Sequence, residues 1–247
     1  MEKKLYFFAN WKMYLGAKDS TNLAKEYLKL KYPENCKVVV FPSAFALPEI
    51  AKILKGSELE LGAQNTYWAD KGGYTGEISA VTYKEIGCTY SLVGHAERRH
   101  IFHESNHDVR LKMEALLQLG ITPVLCVGET GDERKNNQIE EVLEAQIRSA
   151  FMDLSWPEDI TPIVAYEPVW AIGTGESCDS KEAERISDLI SGWTEELIGQ
   201  EPVILYGGSV RGENINGYLA EEHISGALVG GASTKADSWS ELIGCLE

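Results

Sequence analysis

The sequence is short of several things, and each shortage removes a class of function. No run of apolar residues approaches the length that crosses a membrane, which argues against a membrane span. Met1-Glu2-Lys3-Lys4 is followed by only five apolar residues before Asn10 and Lys12, too few for a secretion-signal core. The five cysteines (Cys36, Cys88, Cys126, Cys178 and Cys245) are odd in number, scattered, and never spaced as CxxC or as zinc ligands. Reduced thiols in a cytoplasmic compartment are therefore expected. Basic residues are scarce as well, 23 Lys and Arg against 38 Asp and Glu, for a formal charge of −15. That balance argues against nucleic acid or an anionic membrane as partner. It does not exclude a small anion, because one lysine and a few backbone amides can reverse the field locally. No linker, low-complexity stretch or charge block divides the chain, so a single domain over residues 1–247 is expected.

Short apolar runs alternate with amphipathic stretches from end to end. Strands are expected over Leu5–Ala9, Lys37–Phe41, Leu59–Ala63, Tyr90–Val93, Ile121–Val127, Pro162–Tyr166, Val203–Tyr206 and Gly226–Val229. Between them fall helical segments such as Ser20–Leu30, Val109–Leu119, Gln138–Met152, Lys181–Leu197 and Asn214–Leu219. Asp108 and Asp179-Ser180 read as helix starts, and Gly120 and Gly199 as helix stops. Eight such units in 247 residues give the period of a βα repeat. Continuous apolar strands imply a parallel sheet covered on both faces. No GxGxxG follows the first strand, so a dinucleotide fold is not indicated. The expected fold is α/β, a closed (β/α)8 barrel with an eight-stranded parallel sheet.

Chemistry in such a barrel sits at the C-terminal ends of the strands. Those positions hold Asn10 and Lys12, Gln64-Asn65, His95 and Glu97, Glu167, Gly207-Gly208-Ser209 and Gly230-Gly231. Glu167 closes an apolar run and opens Glu167-Pro168-Val169-Trp170-Ala171-Ile172-Gly173-Thr174-Gly175. By itself it is either a solvated exit residue or a shielded base beneath a closing loop. As a base in an apolar pocket it is expected to have a raised pKa. His95 reads as the start of a short helix, which favours the neutral ring. Lys12 would meet an anionic substrate, and each glycine pair sits where backbone amides can face a phosphate. Taken singly, the lysine has a bland reading as a surface group, the histidine as a structural residue and the glycines as turns. Their shared placement favours a site.

His103-Glu104-Ser105-Asn106-His107 spells the zinc-protease string HExxH, which needs both histidines on one helical face. Ser105 and Asn106 break that face, and no third ligand suggests itself, so no metal is expected. Cys126 reads as a small core residue rather than a nucleophile.

The motifs Asn10-Trp11-Lys12-Met13, Ala63-Gln64-Asn65, Tyr74-Thr75-Gly76-Glu77-Ile78-Ser79 and Leu92-Val93-Gly94-His95-Ala96-Glu97-Arg98-Arg99 appear in order along the chain. They are followed by Cys126-Val127-Gly128-Glu129, Ala165–Gly175, Tyr206-Gly207-Gly208-Ser209-Val210 and Leu228-Val229-Gly230-Gly231-Ala232-Ser233. Together they resemble the triosephosphate isomerase family over essentially the whole length. The resemblance implies a TIM barrel that interconverts dihydroxyacetone phosphate and D-glyceraldehyde 3-phosphate through an enediolate, with no metal or organic cofactor. It implies Lys12, His95 and Glu167 as catalytic residues, and Asn10, Lys12, Gly173, Ser209, Gly230 and Gly231 as substrate-binding ones. It also implies a homodimer through the Gln64–Glu77 loop, with Thr75 approaching the partner's site.

Three departures from the family pattern stand out. Ala96 replaces a common Ser, so the expectation is that it offers Glu167 no resting partner. Tyr14 stands where Asn is usual. Glu176-Ser177-Cys178 makes the far hinge of the loop more acidic, where Lys is frequent at the first position. Two other functions fit a phosphosugar barrel. A Schiff-base aldolase needs a lysine inside the barrel, which Val124–Val127 and Ile163–Tyr166 do not supply. A non-catalytic phosphate-binding barrel would leave Lys12, His95 and Glu167 without purpose.

Overall fold

A computed structural model describes residues 3–173 and 175–246; Met1, Glu2, Thr174 of the glycine loop and Glu247 lie outside the described residues. Eight parallel strands close on themselves in sequence order: β1 (Leu5–Asn10), β2 (Cys36–Phe41), β3 (Glu60–Ala63), β4 (Tyr90–Val93), β5 (Thr122–Val127), β6 (Ile163–Tyr166), β7 (Val203–Tyr206) and β8 (Ile224–Val229). Closure comes from β1 against β8, where Tyr6 to Ala9 run beside Gly226 to Val229. Around the strands lie α1 (Ala17–Tyr27), α2 (Leu47–Leu54), α3 (Ala80–Ile86), α4 (Ala96–His100) and α5 (Asn106–Gln118). They continue with α6 (Gly131–Lys135), α7 (Ile139–Phe151), α8 (Ser180–Ile198), α9 (Gly212–Leu219) and α10 (Ala236–Gly244).

The strands are apolar along most of their length because both faces are buried. Phe8, Val39, Phe41, Leu92, Val124, Cys126, Ile163, Ala165, Leu205 and Leu228 point inward and fill the barrel. The alternate residues Phe7, Ala9, Val38, Val40, Leu125 and Val164 point outward against the helices. Two apolar layers are thus made from one alternating set of side chains.

The helix ends follow local chemistry, and the largest differences from expectation fall at two helices. α5 starts at Asn106 rather than beyond Asp108, because Ser105 is its cap. The Ser105 hydroxyl accepts the Asp108 N–H at 3.1 Å, and the Asp108 carboxylate accepts the Ser105 N–H at 2.9 Å. α1 is displaced toward the N-terminus, from Ser20–Leu30 to Ala17–Tyr27. Its end is fixed from outside, where the Tyr32 hydroxyl donates to the Tyr27 carbonyl at 3.0 Å. Asp179 caps α8 as expected, accepting from the Lys181 N–H at 3.0 Å. Gly199 ends α8 in a left-handed conformation with φ of 70°.

Candidate active site at the C-terminal mouth of the barrel

The strand ends gather around a cavity of about 320 Å³ whose lining includes Asn10, Lys12, His95, Glu167, Gly173, Ser209, Gly230 and Gly231. The eight residues that the family resemblance implies for the site therefore face one volume, whereas Gln64, Asn65 and Glu97, also read at strand ends, do not line it. Tyr14, Gly207, Gly208 and Arg211 also line it.

Asn10 is the last residue of β1, and its side-chain oxygen accepts the Lys12 N–H at 3.0 Å. Lys12 has φ of 48°, an uncommon conformation for a residue with a side chain. It is held there by two donors to its carbonyl, the Ser43 hydroxyl and the Gln64 amide, each at 2.8 Å. The turn aims the Lys12 side chain into the cavity, close to Gly230, where a Cβ would sit 3.1 Å from Lys12 Cε. The ammonium donates to Glu97 Oε1 at 2.6 Å. Sequence reasoning assigned no role to Gln64, Ser43 or Glu97 in placing this lysine, since all three contacts are long-range.

His95 follows β4 and caps α4, its Nδ1 accepting the Glu97 N–H at 3.2 Å. An acceptor nitrogen carries no proton, so the proton of the ring sits on Nε2. Nε2 lies 3.0 Å from Glu167 Oε1 and donates to it. The second carboxylate oxygen of Glu167 accepts the backbone N–H of Ala96 at 2.9 Å. Losing the serine hydroxyl thus does not leave Glu167 without a partner, contrary to the expectation from the side chain. The amide of residue 96 is present whatever its side chain.

Glu167 is 2% exposed, yet its carboxyl is held below the ordinary glutamate value, not above it as its burial alone suggested. Desolvation does push it upward, but the paired His95 ring, the Ala96 N–H and the Lys12 ammonium outweigh that push. The Glu167 carboxyl is therefore ionised at neutral pH. Its backbone is clamped too: its N–H donates to the Val127 carbonyl at 2.7 Å, and a Cβ on Gly128 would fall 1.8 Å from its carbonyl oxygen. Gln146 holds Gly128 from the other side through bonds of 2.9 and 3.1 Å.

The loop after β6 leaves through a short turn over Val169–Ala171. A carboxylate that sequence reasoning missed anchors this near end. Glu129 is buried, accepts from Trp170 Nε1 at 2.8 Å and from the Tyr166 hydroxyl at 3.1 Å. Its carboxyl is raised, with burial outweighing the donors around it. Ser209 ties the loop to the β7 exit, donating from its hydroxyl to the Ala171 carbonyl at 2.8 Å. At the far end the Tyr206 hydroxyl accepts the Cys178 N–H at 3.0 Å, and the Tyr218 hydroxyl donates to the Cys178 carbonyl at 2.5 Å.

A model of the family described as triosephosphate isomerase matches residues 5–246. A relative of that name from Trichodesmium erythraeum is 42% identical over 248 residues, spanning 98% of this chain and 98% of its own. One from Caldanaerobacter subterraneus is 42% identical over 239 residues, spanning 95% and 96%. A third, from Dictyoglomus thermophilum, is 39% identical over 240 residues with the same coverage. The chain belongs to the triosephosphate isomerase family. Membership accounts for the barrel and for the run of motifs at its strand ends. The HExxH string is not helical across its two histidines. His103 lies before α5 with φ of 56°, so the two histidines share no helical face. Glu104 is committed to Lys112, to Arg98 Nε at 2.5 Å and to the Gly94 N–H at 3.1 Å. Cys126 lies in the barrel interior, where burial pushes its thiol well up, as befits a core residue.

Proposed function

We propose that this chain interconverts dihydroxyacetone phosphate and D-glyceraldehyde 3-phosphate by proton transfer. The observation that carries the reading is the Glu167–His95 pair, buried beside Lys12 in a cavity whose far wall is the loops after β7 and β8. Glu167, ionised and shielded, takes a proton from the carbon next to the carbonyl and returns it to the neighbouring carbon. His95 donates from Nε2 to the carbonyl oxygen and moves the proton between the two oxygens. For this the substrate must displace the carboxylate that Nε2 now contacts. Lys12 offsets the negative charge that develops on oxygen. Asn10 shapes the Lys12 turn and meets the substrate, while Gly173, Ser209, Gly230 and Gly231 hold the phosphate. The phosphate does not react. Its binding energy closes the loop, orients the reacting carbons and keeps water from the enediolate. Only protons move, so the reaction balances without metal or cofactor, and its reversibility serves both glycolysis and gluconeogenesis.

The rest of the proposal concerns setting. The chain acts as one catalytic domain in the cytoplasm, as a homodimer through the Gln64–Glu77 loop. Support for a second copy comes from Met13, 94% exposed, and from the exposed Tyr14, Phe45, Tyr74, Ile101 and Phe102. Light scattering should give a particle of two chains, and a lone chain would refute the dimer. A coupled isomerase assay on the wild type and Glu167→Asp tests the chemistry. The variant should lose at least ~10² in turnover, and equal turnover would refute the proton-shuttle role. Trapping with borohydride should leave the protein unmodified, which separates this reaction from Schiff-base aldol chemistry.

A further inference from the structure

The substrate proposed above is a phosphate ester, and the chain that must attract it carries 38 acidic residues against 23 basic ones. Two residues lining the cavity bear a guanidinium or ammonium group, Lys12 and Arg211. Lys12 is paired at 2.6 Å with Glu97, which lies outside the lining, and the Glu167 carboxylate lines the cavity itself. The catalytic end of the cavity is therefore close to neutral at best, and the net attraction for a dianion has to come from elsewhere.

Arg211 is exposed and stands two residues beyond Ser209, at the cap of α9. One side chain sets both positions. Asn214 accepts the Arg211 N–H at 2.8 Å through Oδ1 and donates to the Ser209 carbonyl at 3.0 Å through Nδ2. The guanidinium then extends across to the loop after β6. A Cβ built on Gly175 would lie 3.4 Å from its Nη2, so the group rests against the far limb of that loop. It stands on the Ser209 side of the cavity, against the loop that would close over the phosphate.

We propose that Arg211 is the second cation of the phosphate site, drawing the dianionic end of the substrate toward Ser209 and the loop. This deepens the isomerase reading and rests on it. A guanidinium within several ångströms of a dianion at a water-filled rim is worth roughly three- to tenfold in binding at low salt. The effect fades as the screening length falls from ~10 Å at 0.1 M to ~3 Å at 1 M.

The test uses the full chain and the variants Arg211→Gln and Arg211→Lys. Turnover of the triose phosphate is measured across a salt series, and affinity for inorganic phosphate by calorimetric titration. Arg211→Gln should lose roughly three- to tenfold in kcat/KM at low salt, mainly through KM, with a shallower salt dependence than wild type. Arg211→Lys should recover most of both, and phosphate affinity should follow the same order. An Arg211→Gln enzyme with wild-type kcat/KM and salt dependence overturns the proposal. So does a loss that persists in 1 M salt and is not restored by lysine, which marks a merely structural cap. If the wild type does not turn over triose phosphate, the isomerase reading fails by itself. Phosphate affinity then still decides: weaker binding by Arg211→Gln supports the cation's role, and equal binding overturns it.

Discussion

Adding one methyl group at Gly207 should disarm Glu167 without touching a charged atom. Gly207 follows β7, and its N–H donates to the Tyr166 carbonyl at 2.7 Å. Its φ is not positive, so alanine can adopt the same backbone. The new Cβ would sit 2.7 Å from Glu167 Cγ and 3.1 Å from the Tyr166 carbonyl oxygen. Carbon atoms in contact prefer about 3.5–4.0 Å, so Cγ must retreat by roughly 1 Å. The main chain of Glu167 cannot take up that shift, because Val127 holds its N–H and Gly128 abuts its carbonyl oxygen. The side chain moves instead, opening the contacts of 3.0 Å to His95 and 2.9 Å to Ala96. A misplacement of ~1 Å at a reacting group costs on the order of 10² in rate. Gly207→Ala should therefore lose ~10² in kcat, about 2.7 kcal/mol of barrier. Overpacking should also lower stability by roughly 1–3 kcal/mol, which a domain of ordinary stability survives. A coupled assay read beside a urea melt separates the two effects. A folded variant turning over within threefold of wild type would refute the geometry on which the base assignment stands.

Two further perturbations probe the charges. Ala96 is the first residue of α4, where proline is accepted, and His95 before it already has φ of −51° and ψ of 142°. Ala96→Pro therefore removes one N–H from Glu167 and little else. Loss of a donor to the charged form raises the carboxyl, so the acid limb of kcat/KM should move to higher pH than in wild type; an unmoved limb would show that the amide contributes nothing. Lys112→Met strips a buried cation from Glu104, Lys112 itself being 3% exposed, and should cost about 3–5 kcal/mol in urea unfolding at neutral pH. Burial pushes the Glu104 carboxyl up, but Lys112 and Arg98 hold it below its ordinary value of 4.5. Its stabilising contribution is thus present above that value and fades as pH falls through the folded-state value. The cost of Lys112→Met should accordingly shrink as pH falls below the ordinary value of 4.5, and a cost independent of pH would refute the linkage.

The barrel was legible because its strands are buried on both faces. Phe7 and Phe8 are both apolar for different reasons, one facing the helices and one the barrel interior, and that doubling makes the runs continuous. The candidate site was legible because strand ends converge in a barrel, so position along the chain stands in for position in space. Side-chain identity could not show the Ala96 amide, which belongs to every residue type. Nor could it settle the sign of the shift at Glu167, which depends on three partners from distant segments. The anchoring contacts of Glu129, Gln146 and Gln64 could not be read from the sequence because their partners are far away in the chain. The α5 cap was misplaced because Ser105 and Asp108 are both cap formers, and only the reciprocal bonds show which stands outside the helix. α4 and α6 are five residues each, too short for periodicity to register.

The strand β7 sets a limit on how freely this enzyme can be re-engineered. Its last residue, Tyr206, carries the hydroxyl that grips Cys178 at the far end of the loop after β6. The next residue, Gly207, is moulded to the Glu167 side chain, and a Cβ on Gly208 would collide with that same tyrosine hydroxyl at 2.2 Å. Three successive positions thus serve loop, Glu167 and tyrosine at once. A loop grafted from a relative will carry its own preferred spacing to that hydroxyl, and any adjustment there passes directly to Glu167. Loop and β7 exit form one inheritable cassette, and they should be exchanged as a unit or not at all.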